Sequence, residues 1–285
     1  MNKTLLAAVA AAAFCGAPAF AADMPVPPTA AAPIFSWTGF YVGANGGYGW
    51  HDPTVTFTGG DELATLFTCL HFGIGTCPPP VSFNIRGGLG GLQAGYNRQL
   101  NRNVVLGVET DFDWSRIRGM GTSNFFNLFL SQGNNFIASE KVDWFGTVRG
   151  RLGFLLTDRL LAYGTGGFAY GGVKQNVVLN TPANFVRVDP QFAFACNASV
   201  STECFSGSSS RTAAGWTAGG GLEYAAWNNV SLRAEYLYIN LGKNTVNAVD
   251  VFRVPGVTPS SFNAAFSQTD FHLFRIAVNY LFSTR

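Results

Sequence analysis

Charged side chains in this chain keep to one parity of short alternating segments, and few folds tolerate that arrangement. From residue 104 to 114, Val104, Leu106, Val108, Thr110, Phe112 and Trp114 fall on one face, while Val105, Gly107, Glu109, Asp111 and Asp113 fall on the other. A period of two is that of side chains along a β-strand. The same arithmetic sets Val142, Trp144, Val148, Leu152 and Phe154 against Asp143, Thr147, Arg149 and Arg151. It sets Trp216, Ala218, Leu222 and Tyr224 against Thr217 and Glu223, and Phe274, Ile276, Val278, Tyr280 and Phe282 against Arg275, Ala277 and Asn279. Segments of about ten alternating residues are the mark of a strand that crosses a membrane.

The pattern predicts an all-β fold, an eight-stranded antiparallel up-and-down transmembrane barrel. Its strands are expected near 39–50, 87–99, 104–115, 142–155, 160–173, 213–225, 230–240 and 270–282. Connections alternate in length. Asn101-Arg102-Asn103, Thr157-Asp158-Arg159 and Trp227-Asn228-Asn229 are tight polar turns, and long loops are expected around 51–86, 116–141, 174–211 and 242–269. Short turns on the periplasmic side and four long external loops are what a barrel with both termini in the periplasm gives.

In hydrocarbon each unpaired backbone N–H or C=O costs several kcal/mol, so the sheet must close on itself. One surface then faces lipid and the other its own interior. The aromatics agree with this inversion, because rings prefer the two membrane interfaces. Trp50, Trp114, Trp144, Trp216 and Phe274 fall at the loop-side ends of the apolar faces, and Tyr96, Phe154, Tyr224, Tyr280 and Phe282 at the turn-side ends. Inward charges nearly balance: Glu109, Asp111, Asp113, Asp143, Glu223 and Glu235 against Lys141, Arg149, Arg151, Arg233 and Arg275. Desolvation makes pairing within the lumen the default for such a set. The alternative is a narrow porin-like path for small solutes or ions, lined by these charges.

The amino terminus reads as a secretory signal over residues 1–21, with Lys3 as the positive region, an apolar run to Phe14 and cleavage after Ala21. Residues 22–36, with Pro25, Pro27, Pro28 and Pro33 among alanines, read as a periplasmic leader, and 37–285 as the barrel. Export favours disulfides, and the four remaining cysteines fall into the local pairs Cys69 with Cys77 and Cys196 with Cys204. Their spacing is not that of a zinc site.

Catalytic chemistry is sparse. Only three histidines occur, and the rim pairs His51 with Asp52 and Asp270 with His272 lack a nucleophile constellation. No phosphate or dinucleotide loop is present, and 18 basic against 16 acidic residues give no field for nucleic acid. The sequence implies no enzyme, no cofactor and no metal site.

Ser36-Trp37-Thr38-Gly39-Phe40-Tyr41-Val42-Gly43 resembles the opening strand of the alphaproteobacterial outer-membrane immunogenic proteins, a branch of the opacity-like small porin superfamily. Gly91-Leu92-Gln93-Ala94-Gly95-Tyr96-Asn97, Gly107-Val108-Glu109-Thr110-Asp111, Trp144-Phe145-Gly146-Thr147-Val148-Arg149-Gly150-Arg151 and Arg233-Ala234-Glu235-Tyr236 resemble its later strands, in order. Related barrels usually finish on the aromatic, whereas here Ser283-Thr284-Arg285 follow Phe282. The resemblance implies an outer-membrane surface antigen associated with envelope integrity. The partners it implies are outer-membrane lipid and lipopolysaccharide, the barrel assembly machinery, and host or envelope ligands at the external loops.

Overall fold

The structure, a computed structural model, describes residues 35–65, 78–127, 132–182, 184–188 and 191–283. The signal with Ala21, nearly all of the leader, and the pair Cys69 and Cys77 lie outside them.

Strand β1 (Gly39–His51) pairs with β4 (Ile85–Gln99), and β4 with β5 (Val104–Asn127). Next, β5 pairs with β6 (Gln132–Thr157), β6 with β7 (Leu160–Asn180), and β7 with β10 (Glu203–Ala225). From there β10 pairs with β11 (Val230–Asn240), β11 with β15 (Asp270–Ser283), and β15 with β1. Every pairing in this ring is antiparallel, and it returns to its start without leaving an edge.

Fifteen strands form among the described residues, against the eight that alternation predicts. The surplus lies in the expected loops. Residues 116–127 and 132–141 continue the paired β5 and β6, and much of 174–211 continues β7 and β10. Further out, β12 (Asn244–Asp250), β14 (Ser261–Phe266), β2 (Thr54–Gly59) and β3 (Val81–Ser82) extend the sheet from the outer part of β10. Strands β8 (Asn184–Val188), β9 (Phe192–Asn197) and β13 (Thr258–Pro259) form a separate small sheet, and α1 (Glu62–Thr65) is one turn of helix. The expected Cys196–Cys204 disulfide ties β9 to β10.

Alternation separates the two faces of the ring as hydrophobicity predicts for an apolar surrounding. Val108 is 62% exposed, while its neighbour Glu109 is 2% exposed. Phe40, Leu92, Leu152 and Ile276 likewise point outward and are more than half exposed. From Phe40 to Trp50 spans about 33 Å along a strand, or about 25 Å at a tilt near 40°, the height of a membrane barrel's apolar band.

One parity expectation fails. Val142 is buried inside, not on the face of Trp144, because β6 carries an extra residue at Asp143: Val142 pairs with Val173 and Trp144 with Gly172. A bulge of this kind switches every side chain beyond it to the other face.

The interior is also less polar than the charges alone suggest. From the level of the bulge outward it holds an apolar core that includes Phe57, Phe136, Phe145, Phe262 and Phe271, with Phe57 stacked on Phe136 at 4.1 Å. At the turn-side end a second cluster joins Phe35, Trp37, Tyr41, Val105, Leu155, Leu161, Ala225 and Leu281. Phe35, expected in the leader, packs edge-on against Trp37 with ring centres 4.9 Å apart.

Candidate functional site

Between those two apolar layers lies the polar layer. Register brings opposite charges face to face across neighbouring strands: Glu109 opposite Arg149, Glu223 opposite Arg233, and Glu235 opposite Arg275. Longer reaches then cross the lumen. The Arg149 guanidinium donates to Glu235 and Asp111, both at 2.9 Å, and to Glu109. Arg275 donates to Glu235 at 2.7 Å, Asp111 at 2.8 Å and Asp113 at 3.1 Å.

Arg233 joins Glu223, at 3.1 Å, to Glu109. Arg151 donates to Glu223 at 2.6 Å and lies over the Tyr163 ring, 3.9 Å from its centre. Neutral groups donate to several of the same carboxylates. Tyr41 donates to Glu109, Tyr163 to Glu235 at 2.8 Å, Thr147 to Asp111 at 2.9 Å, and Asn279 to Glu223 at 2.9 Å. All nine charged residues are buried.

Glycine makes room for these large side chains. An added Cβ at Gly95 would come within 2.5 Å of the Tyr41 ring, and one at Gly47 within 2.8 Å of the Arg275 Cβ. Inward glycines therefore set how much arginine and tyrosine the lumen holds.

Two expected members are elsewhere. Lys141 and Asp143 form an ion pair with each other, and Lys174 joins Asp143 at 2.9 Å, all on partly exposed side chains. The bulge at Asp143 is the reason, since it turns both residues away from the lumen. Sequence alternation did not reveal Tyr41 and Tyr163 as network members, although both occupy the inward parity.

The rim histidines separate. His51 lies 3.5 Å from Asp270. His272 stacks on Trp50 and shares a 2.6 Å hydrogen bond with the Tyr236 hydroxyl, so it belongs to the aromatic ring of the outer wall. Among the described residues no group of three or more His, Cys, Asp or Glu side chains is placed to hold a metal.

The girdle residues Trp50, Trp114, Trp216 and Phe274 are exposed at the outer end, with Trp144 half-buried between Phe112 and Tyr170. Phe154, Tyr224, Tyr280 and Phe282 are exposed at the turn end, where Tyr96 lies against Phe40.

Residues 7–282 match the family described as outer membrane protein beta-barrel domain. The chain is 38% identical to the 31 kDa outer-membrane immunogenic protein of Brucella melitensis, over 99% of this chain and all of that one. It is 29% identical to the 25 kDa outer-membrane immunogenic protein of Brucella abortus, over 84% and 85%. Among solved structures, the attachment invasion locus protein Ail of Yersinia pestis overlaps 85% of this chain and 99% of its own, at 14% identity and a TM-score of 0.30. The apolar wall, the charged interior and the full-length relatives agree: the chain belongs to the outer-membrane β-barrel family, among the alphaproteobacterial outer-membrane immunogenic proteins, and resides in the bacterial outer membrane.

Proposed function

We propose that the membrane-spanning ring has eight strands and is a closed, non-enzymatic scaffold of the outer membrane, contributing to envelope integrity and presenting its outer hairpins for surface contacts. The observation that carries this reading is the filling of the lumen in three successive layers. The Phe35–Trp37 cluster closes the turn end, the arginine–carboxylate network fills the middle, and the phenylalanine-rich core fills the outer end. A ring of eight strands has an interior about large enough for its own side chains and little else. The split rim histidines offer no nucleophile and base pair, which supports a non-enzymatic role. Lipopolysaccharide, the assembly machinery and host or envelope molecules are the proposed partners of the wall and the outer hairpins.

Planar-bilayer recording tests the reading. Folded protein is expected to add no unit conductance at any salt concentration. Stable steps that scale with salt and change in Glu109→Ala protein would establish the narrow channel instead.

A further inference from the structure

We propose that the outward faces of β4 to β7, immediately beyond the outer aromatic ring, bind the phosphate groups of an outer-leaflet glycolipid. The proposal rests on the reading above that this end of the wall meets the external leaflet.

Arg86, Arg118, Lys141 and Lys174 are consecutive register partners on β4, β5, β6 and β7. Arg116 adds a fifth cation, two residues or about 7 Å along the strand from the exposed Trp114. Arg86 is itself the register partner of Trp50. The row therefore starts at the aromatic ring and runs just outside it, where a bilayer carries its headgroups.

Side chains placed directly opposite across strands interact, and like charges there repel. Asp143 is the one outward acid on the described residues of these four strands, and it serves Lys141 and Lys174. Arg86, Arg116 and Arg118 have no ion-pair partner among the described residues. Asp52, near the end of β4, is held by Asn84. Followed along the register, the row does not continue onto β10, β1, β15 or β11: Ser210 is the partner of Lys174, and Trp50, His272 and Tyr238 continue in turn from Arg86. Three guanidiniums without counter-charges, gathered on one side at headgroup depth, fit a multiply charged phosphate ligand.

The wall below Arg86 supplies a second observation. Gly88 and Gly90 follow it on the same face of β4, and Gly46 is the partner of Gly90 on β1. An added Cβ at these three positions would meet its nearest atoms only at 3.9, 3.6 and 3.8 Å respectively. Packing inside the protein therefore does not require glycine here. The glycines leave a strip of the wall under Arg86 without side chains, beside the exposed Tyr48 and Leu92. The strip suits an acyl chain whose headgroup phosphate sits on the arginines.

The test is native mass spectrometry of the folded full chain with a diphosphorylated lipid A-type glycolipid and with the same lipid dephosphorylated. Wild-type protein is expected to prefer the phosphorylated form by about tenfold or more. The Arg86→Gln, Arg116→Gln, Arg118→Gln triple variant should lose that preference, while Arg98→Gln, Arg102→Gln protein, altered at the turn end, should keep it. Unchanged heat-modifiable migration on gels certifies that each variant is folded.

Equal binding of the two lipids by wild type, or a preference that survives in the folded triple variant, would overturn the proposal. Displacement by millimolar inorganic phosphate alone would assign the row to free phosphate, and selective capture of a sulfated polysaccharide without lipid preference would assign it to a soluble polyanion; either overturns the lipid source. A protein that conducts in bilayers yet keeps the phosphate preference would refute the scaffold reading and leave this one standing.

Discussion

Arg149→Ala should destabilise the folded barrel by about 3–5 kcal/mol, the usual range for breaking a buried pair by removing one partner. The size follows from what is left behind. Arg149 is the shared donor of Glu109, Asp111 and Glu235, and its removal leaves three buried carboxylates without that shared counter-charge. Arg275 and Arg233 still reach these acids, so the network is weakened without being abolished. Urea unfolding in lipid vesicles measures the loss. Pairing Arg149→Ala with Glu109→Gln should restore part of it, because the second change removes a stranded charge. Strictly additive losses in that double-mutant cycle would contradict a coupled network.

Trp37→Ala should cost a comparable amount, about 3–5 kcal/mol, the range for deleting a large buried aromatic. Trp37 is fully buried at the turn end, and its indole N–H donates to the Asp158 carbonyl at 3.3 Å. Its ring also covers Phe35, so the substitution opens a cavity at the mouth of the lumen. The folded variant should still pass no current, because the arginine–carboxylate layer lies next along the axis. Appearance of a conductance in Trp37→Ala protein would make this cluster the sole barrier and the ionic layer a permeable one.

The membrane wall was legible because lipid imposes one rule on every strand, and Val108 beside Glu109 displays it without help from tertiary contacts. The ionic layer was legible for the same reason: charges on the inward parity of Arg149, Arg233 and Arg275 have nowhere else to go. The outer half was not, because much of its interior is apolar. There Phe136, Ala138 and Val142 point inward, so the contrast between the faces that marks the wall fades.

A single inserted residue, Asp143, carried the remaining error. It placed itself and Lys141 outside the lumen and returned Val142 to the core, a change that pattern counting cannot see because the apolar and charged residues alternate equally well in either phase. The turn-end cluster was hidden differently. Phe35 and Trp37 precede the first strand, so no periodicity marks them, and only contact with Leu161 and Leu281 reveals their role.

Tryptophan quenching in vesicles decides which surface of the ring meets hydrocarbon. Two single-tryptophan proteins are needed, one keeping Trp114 and one keeping Trp216, each with the other tryptophans changed to phenylalanine. Both residues stand on the exposed outer wall. Brominated lipid acyl chains are expected to quench both fluorophores strongly, while aqueous iodide leaves them largely unaffected. Strong iodide quenching with no response to brominated lipid would mean that this face is bathed in water, and the inverted barrel would be refuted.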